Sequence, residues 1–244
     1  MLLQAPVIEK VIGHRGASAY APENTLAAFD KALSMGCRFL EFDVMLSADG
    51  EPFVFHDESL KRTTNGQGQI GLVTAEYLQT LDAGSWFSRT FRGEKIPHFR
   101  EVLKWLTFAN VNANIEIKPY PGQSEQTAAI VLSFINRYWP ANKAAPLVSS
   151  FDRTALTLYR SLAPEMPIGL LFDRWEDDWQ QQAEELQCYS IHLNHRALNA
   201  DRVGAMKEKG YLVLAYTVNR KRLALKLFDW GVDAVFSDYP DLLL

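Results

Sequence analysis

Cysteine is scarce in this sequence, and so are blocks of positive charge. The chain of 244 residues contains two cysteines, Cys37 and Cys188, far apart in apolar segments. Such cysteines indicate small buried side chains rather than a disulfide scaffold or a redox motif. The formal net charge is -4 and no Lys/Arg block is present, so the sequence lacks the electrostatic footprint of a protein that binds nucleic acid or an anionic membrane.

Long apolar runs are also missing. No run approaches the roughly 18 residues of a membrane-spanning helix, and the opening MLLQAPVIEK lacks the basic start and apolar core of a signal peptide. We therefore expect a cytoplasmic protein with no stable membrane association. Hydrophobic residues make up 48% of the chain, enough to bury a large core, and we expect a single domain over residues 1–244.

Short β-rich segments alternate with helix-like segments along most of the chain, a pattern typical of βα units around a parallel sheet. Candidate strands lie at 11–14, 39–44, 52–56, 113–118, 147–151, 168–172, 189–194, 212–218 and 233–238. Only MLSADGE separates the second from the third, which is too short for a crossover helix and predicts a hairpin. The other eight strands predict an α/β fold, a TIM (β/α)8 barrel with a small insertion after the second strand.

The helices of this barrel are predicted at about 24–35, 97–109, 123–138, 152–162, 176–186, 199–209 and 220–230, with Asn24, Asp152 and Asn199 as start signals. The final YPDLLL is too short for an eighth helix. We expect either MLLQAP or a second copy of the chain to cover that part of the barrel wall. Cover by a second copy would make the protein a homodimer. Residues 57–95 are rich in Gly, Thr and Asn and are interpreted as an insertion over the barrel mouth.

Carboxylates are predicted to point into the barrel from two strands. Side chains alternate along a strand, so Glu41 and Asp43 in FLEFDV share the face opposite to the apolar residues. The same alternation in ANIEIK turns Glu116 and Lys118 inward. These positions lie near the carboxyl ends of strands, where TIM barrels hold their active sites.

Three converging carboxylates repel one another unless a proton or a cation intervenes. Oxygen ligands of this kind favour Mg²⁺ or Ca²⁺ over zinc. The alternative interpretation is a buried ion-pair network of these acids with Arg15 and Lys118, although buried ionic clusters stabilise a fold poorly compared with apolar packing. The sequence therefore predicts a divalent-cation site at Glu41, Asp43 and Glu116.

Two histidines are expected at the same end of the barrel. His14 ends the first strand, and the hairpin brings His56 back level with Asp43. Two imidazoles that flank a scissile group can divide general-base and general-acid catalysis. Arg15 offers a planar fork and Lys118 a point charge for phosphate oxygens.

Weaker candidates lie at other strand ends. Phe151 and Tyr216 are expected either to form an aromatic wall for the substrate or to be barrel core. At least one polar residue of SIHLNH is expected to line the pocket, while His192 and His195 should face opposite sides and form no metal pair. Asp238 is interpreted as the cap of a terminal turn at Pro240.

Several of these motifs together resemble the glycerophosphodiester phosphodiesterase family, especially its cytoplasmic bacterial members. The resemblance spans almost the whole chain and is carried by GHRGASAYAPENTLAAF, EFDVMLSADGEPFVFHDESLKRTTNG, NIEIK, VSSF, LDAGSWFS, SIHLNH, YTVN and GVDAVFSDYPD. It implies a TIM barrel of the PLC-like phosphodiesterase type. It also implies metal-dependent hydrolysis of small-molecule glycerophosphodiesters, such as glycerophosphocholine and glycerophosphoethanolamine, to glycerol 3-phosphate and an alcohol.

The resemblance also implies roles for individual residues. His14 and His56 match the family's acid/base pair, Arg15 its phosphate-binding arginine and Lys118 its pocket lysine. Glu41, Asp43 and Glu116 match the metal ligands. Glu23 and Asn24 match the PENT turn, where we expect a structural role with Asn24 as the helix cap. Tyr216 departs from the tryptophan of many members, which leaves the shape of the substrate wall open.

Three other functions compete with this prediction. A lysophospholipase D would apply the same groups to a lipid that keeps one acyl chain, but residues 57–95 contain few clustered apolar residues. A glycosidase would place two acids on opposite sides of the scissile bond, whereas Glu41 and Asp43 share one strand face. A non-catalytic glycerophosphate-binding protein would not need the complete set of catalytic groups.

Overall fold

The chain folds into a nine-stranded sheet surrounded by helices. The structure is a computed structural model that describes residues 6–244. The strands are β1 (Val11–His14), β2 (Phe39–Leu46), β3 (Pro52–Val54), β4 (Asn112–Ile117), β5 (Leu147–Ser150), β6 (Ile168–Phe172), β7 (Ser190–Asn194), β8 (Leu212–Tyr216) and β9 (Ala234–Ser237). The helices are α1 (Leu26–Ser34), α2 (Ala75–Thr80), α3 (Phe99–Ala109), α4 (Ser124–Tyr138), α5 (Arg153–Leu162), α6 (Trp179–Glu185), α7 (Ala200–Glu208) and α8 (Lys221–Asp229).

Eight parallel strands close into a barrel. The sheet order is β1-β9-β8-β7-β6-β5-β4-β2-β3, and an additional β1–β2 pairing closes the barrel. β3 runs antiparallel to β2, with Val54 opposite Val44, and is the hairpin strand outside the barrel. The predicted TIM barrel and its hairpin after the second strand are confirmed.

Alternation along the strands separates the apolar core from the polar interior, as the sequence predicts. Leu40, Phe42 and Val44 of β2 are fully buried and belong to the large core between the barrel and its helices. The ring of Phe42 packs against Phe29 of α1 and Phe99 of α3, with centroids 5.6 and 6.2 Å away. The carboxylates of β2 consequently point into the barrel.

The first barrel helix begins at Leu26, two residues after the predicted start, and its N-cap lies one residue later than predicted. Thr25, not Asn24, is the N-cap of α1, and its hydroxyl accepts the N–H of Ala28. Asn24 has a φ of 58°, a left-handed conformation that Asn tolerates better than most residues. Asp152 and Asn199 do cap α5 and α7, as predicted.

The segment from 57 to 95 contains the short helix α2 and two 3-10 turns, Ile70–Leu72 and Arg89–Phe91, none of which the sequence pattern predicts. Its apolar side chains form a second core cluster against the hairpin, with Met45, Phe53, Leu60, Ile70 and Leu78 among its members. The segment thus packs on the β2–β3 hairpin.

Among the described residues, the last barrel strand is followed by the 3-10 turn Pro240–Leu242. Most of MLLQAP, predicted as one possible cover for this side, lies outside the described residues. Within residues 6–244, none of the helices has the length and apolar character to cross a bilayer.

Replacing an N-cap tests this description of the helices away from the site. The side chain of Asn199 accepts the N–H of Arg202 at 2.9 Å. Asn199→Ala should lower the free energy of unfolding by about 1 kcal/mol, while Asn199→Asp, which keeps the acceptor, should change it by a few tenths at most. Urea unfolding measures both, and equal losses for the two variants would contradict the assigned cap.

Candidate active site

The carboxyl-terminal ends of the barrel strands enclose a cavity of about 360 Å³. Eight of the nine side chains that the sequence predicts for the site line it: His14, Arg15, Glu41, His56, Glu116, Lys118, Phe151 and Tyr216. The ninth, Asp43, is buried beside them, and its Oδ1 lies 3.6 Å from Nζ of Lys118. The structure therefore brings the whole predicted set together.

Glu41, Asp43 and Glu116 form a buried acidic cluster. Each contributes an oxygen atom, and these atoms all lie within 4.8 Å of one another. The register explains the proximity, because Asp43 of β2 is paired with Glu116 of β4. Burial and the neighbouring carboxylates raise the pKa of Glu116 to about 8 and that of Glu41 well above its ordinary value.

Asp43 is the member of the acidic cluster that keeps its charge. Burial opposes ionisation, but Arg15 and Lys118 outweigh it and hold the pKa of Asp43 well below its ordinary value. Nε of Arg15 lies 3.4 Å from Oδ2 of Asp43. Asn24 also donates from Nδ2 to Oδ2 at 2.9 Å, so this residue, predicted as a helix cap, contacts the site instead.

The donor set fits a hard divalent cation. The acidic cluster offers carboxylate oxygens only, which are the ligands that Mg²⁺ and Ca²⁺ prefer. Burial, and after it the charge of the neighbouring carboxylates, raises the pKa of Glu41 and Glu116, and a positive charge between the three groups would favour their ionised forms. Glu41, Asp43 and Glu116 can therefore hold such an ion.

His14 is oriented by a carboxylate that the sequence analysis interpreted differently. Its Nδ1–H donates to Oδ1 of Asp238 at 2.7 Å, and its Nε2 lies 4.0 Å from Oε2 of Glu41. Asp238 also accepts hydrogen bonds from Ser18 Oγ and Asn219 Nδ2, at 2.8 and 2.6 Å. Although burial opposes its charge, these bonds hold the pKa of Asp238 at about 2. The interpretation of Asp238 as a cap of the terminal turn is wrong, because closure of the barrel places β9 beside β1.

His56 has a similar arrangement. Its Nδ1–H donates to Oδ1 of Asp57 at 2.6 Å. Burial lowers the pKa of His56, and the attraction of Asp43 only partly opposes that effect. Each of the two histidines is thus held at Nδ1 by a carboxylate, which leaves Nε2 free to exchange a proton.

Arg62, from the segment after the hairpin, links both halves of this site. Its guanidinium donates to both oxygens of Asp57, at 2.6 and 2.9 Å, and to both oxygens of Glu23, at 2.6 and 2.8 Å. Glu23 in turn accepts a hydrogen bond from Nη1 of Arg15 at 2.7 Å. A single charged network therefore runs from His56 to Arg15.

Aromatic side chains form one side of the cavity. The rings of Phe151 and Tyr216 meet edge to face with centroids 6.0 Å apart, and Phe151 is 44% exposed. The hydroxyl of Tyr216 donates to the carbonyl of Phe172 at 2.7 Å. The exposed face of Phe151 fits the predicted wall better than a core position.

The predicted polar contacts from SIHLNH also reach the cavity. His192, Asn194 and His195 all line it. The ring of His192 is paired with Ser190, whereas Nδ1 of His195 lies 3.2 Å from the carbonyl oxygen of Tyr216. The expectation that the two imidazoles face opposite sides is wrong, because His195 lies in the 3-10 turn His195–Ala197 after β7, where strand alternation no longer applies.

Asp57, Arg62 and Asp238 are site residues that the sequence analysis did not predict. Asp57 directly follows His56, and this adjacency was the available signal. Arg62 reaches Glu23, 39 positions away in sequence, through the fold of the insertion. Asp238 reaches His14, 224 positions away, through closure of the barrel.

Known proteins match this chain along nearly its whole length. The model of the Glycerophosphoryl diester phosphodiesterase family matches residues 14–242. A glycerophosphodiester phosphodiesterase of Caldanaerobacter subterraneus subsp. tengcongensis is 35% identical over 238 residues, with 96% of each chain covered. One of Bacillus subtilis is 33% identical over 246 residues, which cover 95% of this chain and 84% of that protein.

A solved structure has the same fold. It is a phosphodiesterase of Oleispira antarctica in complex with the product sn-glycerol-3-phosphate, with a TM-score of 0.94 and 40% identity. The match covers 97% of this chain and 95% of the other. At this level of identity and coverage, the likeness extends over the barrel, the hairpin and the segment that follows it.

The raised pKa of Glu116 predicts a pH-dependent stability. In the metal-free folded chain this carboxyl keeps its proton up to about pH 8, whereas the unfolded chain releases it near the ordinary value of 4.5. The folded state then binds more protons than the unfolded state between these values, so stability should fall as the pH rises from about 5 to 8. Melting temperatures measured in EDTA across this range test the prediction.

Glu116→Gln should make this decline shallower without abolishing it, because the pKa of Glu41 is also raised, while Glu208→Gln on the exposed surface of α7 should leave it unchanged. Mg²⁺ or Ca²⁺ should raise the melting temperature most at pH 8, where the cluster is ionised. A metal-free melting temperature that is flat from pH 5 to 8 would contradict the assigned protonation of Glu116.

Proposed function

Since this chain belongs to the glycerophosphoryl diester phosphodiesterase family, we propose that it hydrolyses glycerophosphodiesters to glycerol 3-phosphate and an alcohol. Glycerophosphocholine and glycerophosphoethanolamine are the proposed substrates. The observation that carries the proposal is the convergence of three kinds of group at one cavity. They are two imidazoles that are each held by a carboxylate, the cationic side chains of Arg15 and Lys118, and three buried carboxylates. This combination suits a phosphate diester better than a neutral sugar.

The histidines are the proposed acid and base. One imidazole accepts the proton of the nucleophile as the new P–O bond forms. The nucleophile is either water or the glycerol 2-hydroxyl, and in the second case water then opens the resulting cyclic phosphate. The other imidazole donates a proton to the alcohol oxygen as its bond to phosphorus breaks, and the net reaction consumes one water. Asp238 and Asp57 support both steps, since each fixes the tautomer of its histidine and stabilises the imidazolium form.

Arg15 and Lys118 are the proposed phosphate ligands. Nε of Arg15 lies 3.4 Å from Oδ2 of Asp43, which holds one side of the guanidinium that lines the cavity. Glu23 fixes the other side of the guanidinium. Lys118 adds a point charge next to the acidic cluster, 3.9 Å from Oε1 of Glu116.

Glu41, Asp43 and Glu116 are the proposed ligands of Mg²⁺ or Ca²⁺. A bound divalent cation would supply positive charge that stabilises the charge developing on the phosphate oxygens. The protein's own contribution is to keep the three carboxylates buried and close together. Phe151 and Tyr216 are proposed to bound the space for the alcohol or glycerol group.

The release of glycerol 3-phosphate from glycerophosphocholine tests this function directly. The wild type should release it, and EDTA should abolish the release until Mg²⁺ or Ca²⁺ is restored. His14→Ala should lower kcat by roughly 100- to 10,000-fold. His98→Asn is a matched control, because His98 is the N-cap of α3 and asparagine also serves in that position.

Lysophosphatidylcholine, tested in parallel, separates this function from that of a lysophospholipase D. Preferential cleavage of the lysolipid would favour the latter enzyme. If the folded wild type releases product from neither substrate with metal present, the phosphodiesterase proposal is contradicted. A glycerophosphate-binding protein would then be favoured.

Replacement of Asp238 tests how His14 is held. Asp238→Asn should lower kcat by roughly 10- to 100-fold, with KM and the melting temperature close to those of the wild type. Asp241→Asn is the control, since Asp241 accepts a hydrogen bond from Tyr20 on the exposed surface. Equal kinetics for Asp238→Asn and the wild type would exclude a positioning role for Asp238.

A further inference from the structure

The fully buried part of the cavity is lined by two polar side chains that the proposed catalytic steps do not use. Asn114 is 1% exposed and His192 is 0% exposed, and both line the cavity. Oδ1 of Asn114 and Nδ1 of His192 are buried and have no hydrogen-bond partner among the described residues. We call this pair of side chains the cavity floor.

Each member of the cavity floor is fixed by a serine at one polar atom, which leaves its other polar atom unpaired. Nδ2 of Asn114 donates to Ser149 Oγ at 2.9 Å, and Nε2 of His192 lies 2.9 Å from Ser190 Oγ. The ring of His192 also requires glycine at position 169, where a Cβ atom would lie 2.5 Å from Nε2. Buried polar groups in native proteins are nearly always satisfied, so two fixed but unpaired atoms indicate that a ligand or water completes them.

The cavity floor lies next to the acidic cluster. Asn114 is paired with Glu41 across β2 and β4, and it precedes Glu116 by two residues on the same inward face. Two residues along a strand span about 7 Å. A diester whose phosphate lies between Arg15 and Lys118 can therefore extend a short carbon chain from the cluster towards Asn114.

The chemistry of the cavity floor suits a neutral hydroxylated group. Burial lowers the pKa of His192 to about 3, so its ring is neutral, and Asn114 carries no charge. Leu171 and Phe236 also line the cavity; Leu171 is paired with His192 across β6 and β7, and the ring centroid of Phe236 lies 5.3 Å from that of His192. An alcohol hydroxyl both donates and accepts, so it can donate to Oδ1 of Asn114 and pair with Nδ1 of His192 in either tautomer.

We propose that Asn114 and His192 bind the hydroxyl groups of the substrate's glycerol and thereby select glycerol-containing diesters. This inference rests on the proposed function, because it assigns the glycerol end of that substrate to the cavity floor. A site built to bind a hydroxyl rejects an analogue without it, since its buried polar atoms are then left unpaired.

The experiment compares glycerophosphocholine with 2-hydroxypropyl phosphocholine, which lacks only the terminal hydroxyl. For the wild type, kcat/KM should be on the order of 100-fold higher for glycerophosphocholine. Asn114→Leu and His192→Phe should each reduce this ratio by roughly 10-fold or more, by losing activity on glycerophosphocholine while retaining activity on the analogue. Melting temperatures verify that each variant is folded.

Ser133→Ala is the control, because Ser133 is exposed on α4 and contacts neither the cavity nor the residues of the cavity floor. It should keep the wild-type ratio. Equal losses on the two substrates in Asn114→Leu and His192→Phe, or a wild-type ratio near one, would overturn the proposal and indicate that the cavity floor holds only water.

Binding of glycerol 3-phosphate and of 2-hydroxypropyl phosphate, measured by calorimetry, separates this inference from the proposed function. If the wild type hydrolyses neither diester, the proposed function fails. A preference for glycerol 3-phosphate that Asn114→Leu removes would still support the subsite, and equal affinities of the wild type for the two phosphates would overturn it.

Discussion

The repulsion among three buried carboxylates is the constraint on which the site depends. Glu41, Asp43 and Glu116 place oxygens within 4.8 Å of one another inside the barrel, where charge is costly. Arg15 and Lys118 keep Asp43 ionised, but burial and repulsion raise the pKa of Glu41 and Glu116. The cluster thus favours a further positive charge, and the site is arranged to receive one.

The histidines depend on a second set of acids that lies outside this cluster. Asp238 and Asp57 each accept the Nδ1–H of one imidazole, so the carboxylates that orient the rings are distinct from those proposed to bind metal. This separation places the proposed proton transfer and the proposed cation binding on different groups. Arg62 ties the His56 side to Arg15 through Asp57 and Glu23, which gives the segment after the hairpin a contact with the catalytic end of the barrel.

The polar interior of the barrel extends deeper than the acidic cluster. Asn114, which is paired with Glu41, and His192 carry unpaired polar atoms. Ser149 of the neighbouring strand β5 holds Asn114, and Ser190 of β7 itself holds His192. Side chains two positions apart on a strand share one face, so β4 directs both Asn114 and Glu116 into the barrel. Glu116 belongs to the acidic cluster and Asn114 to the cavity floor. Substrate selection and catalysis are therefore proposed to use successive layers of the same barrel.

The sequence by itself determined the features that depend on local periodicity. Alternation in FLEFDV and ANIEIK placed Glu41, Asp43 and Glu116 inward, and the short MLSADGE connection identified the hairpin that returns His56. Only the tertiary structure decided the partners that join distant segments. Asp238 lies beside His14 because β9 pairs with β1, and Arg62 reaches Glu23 through the fold of the insertion. No local pattern encodes such contacts, since they arise from barrel closure and from packing between segments far apart in the chain.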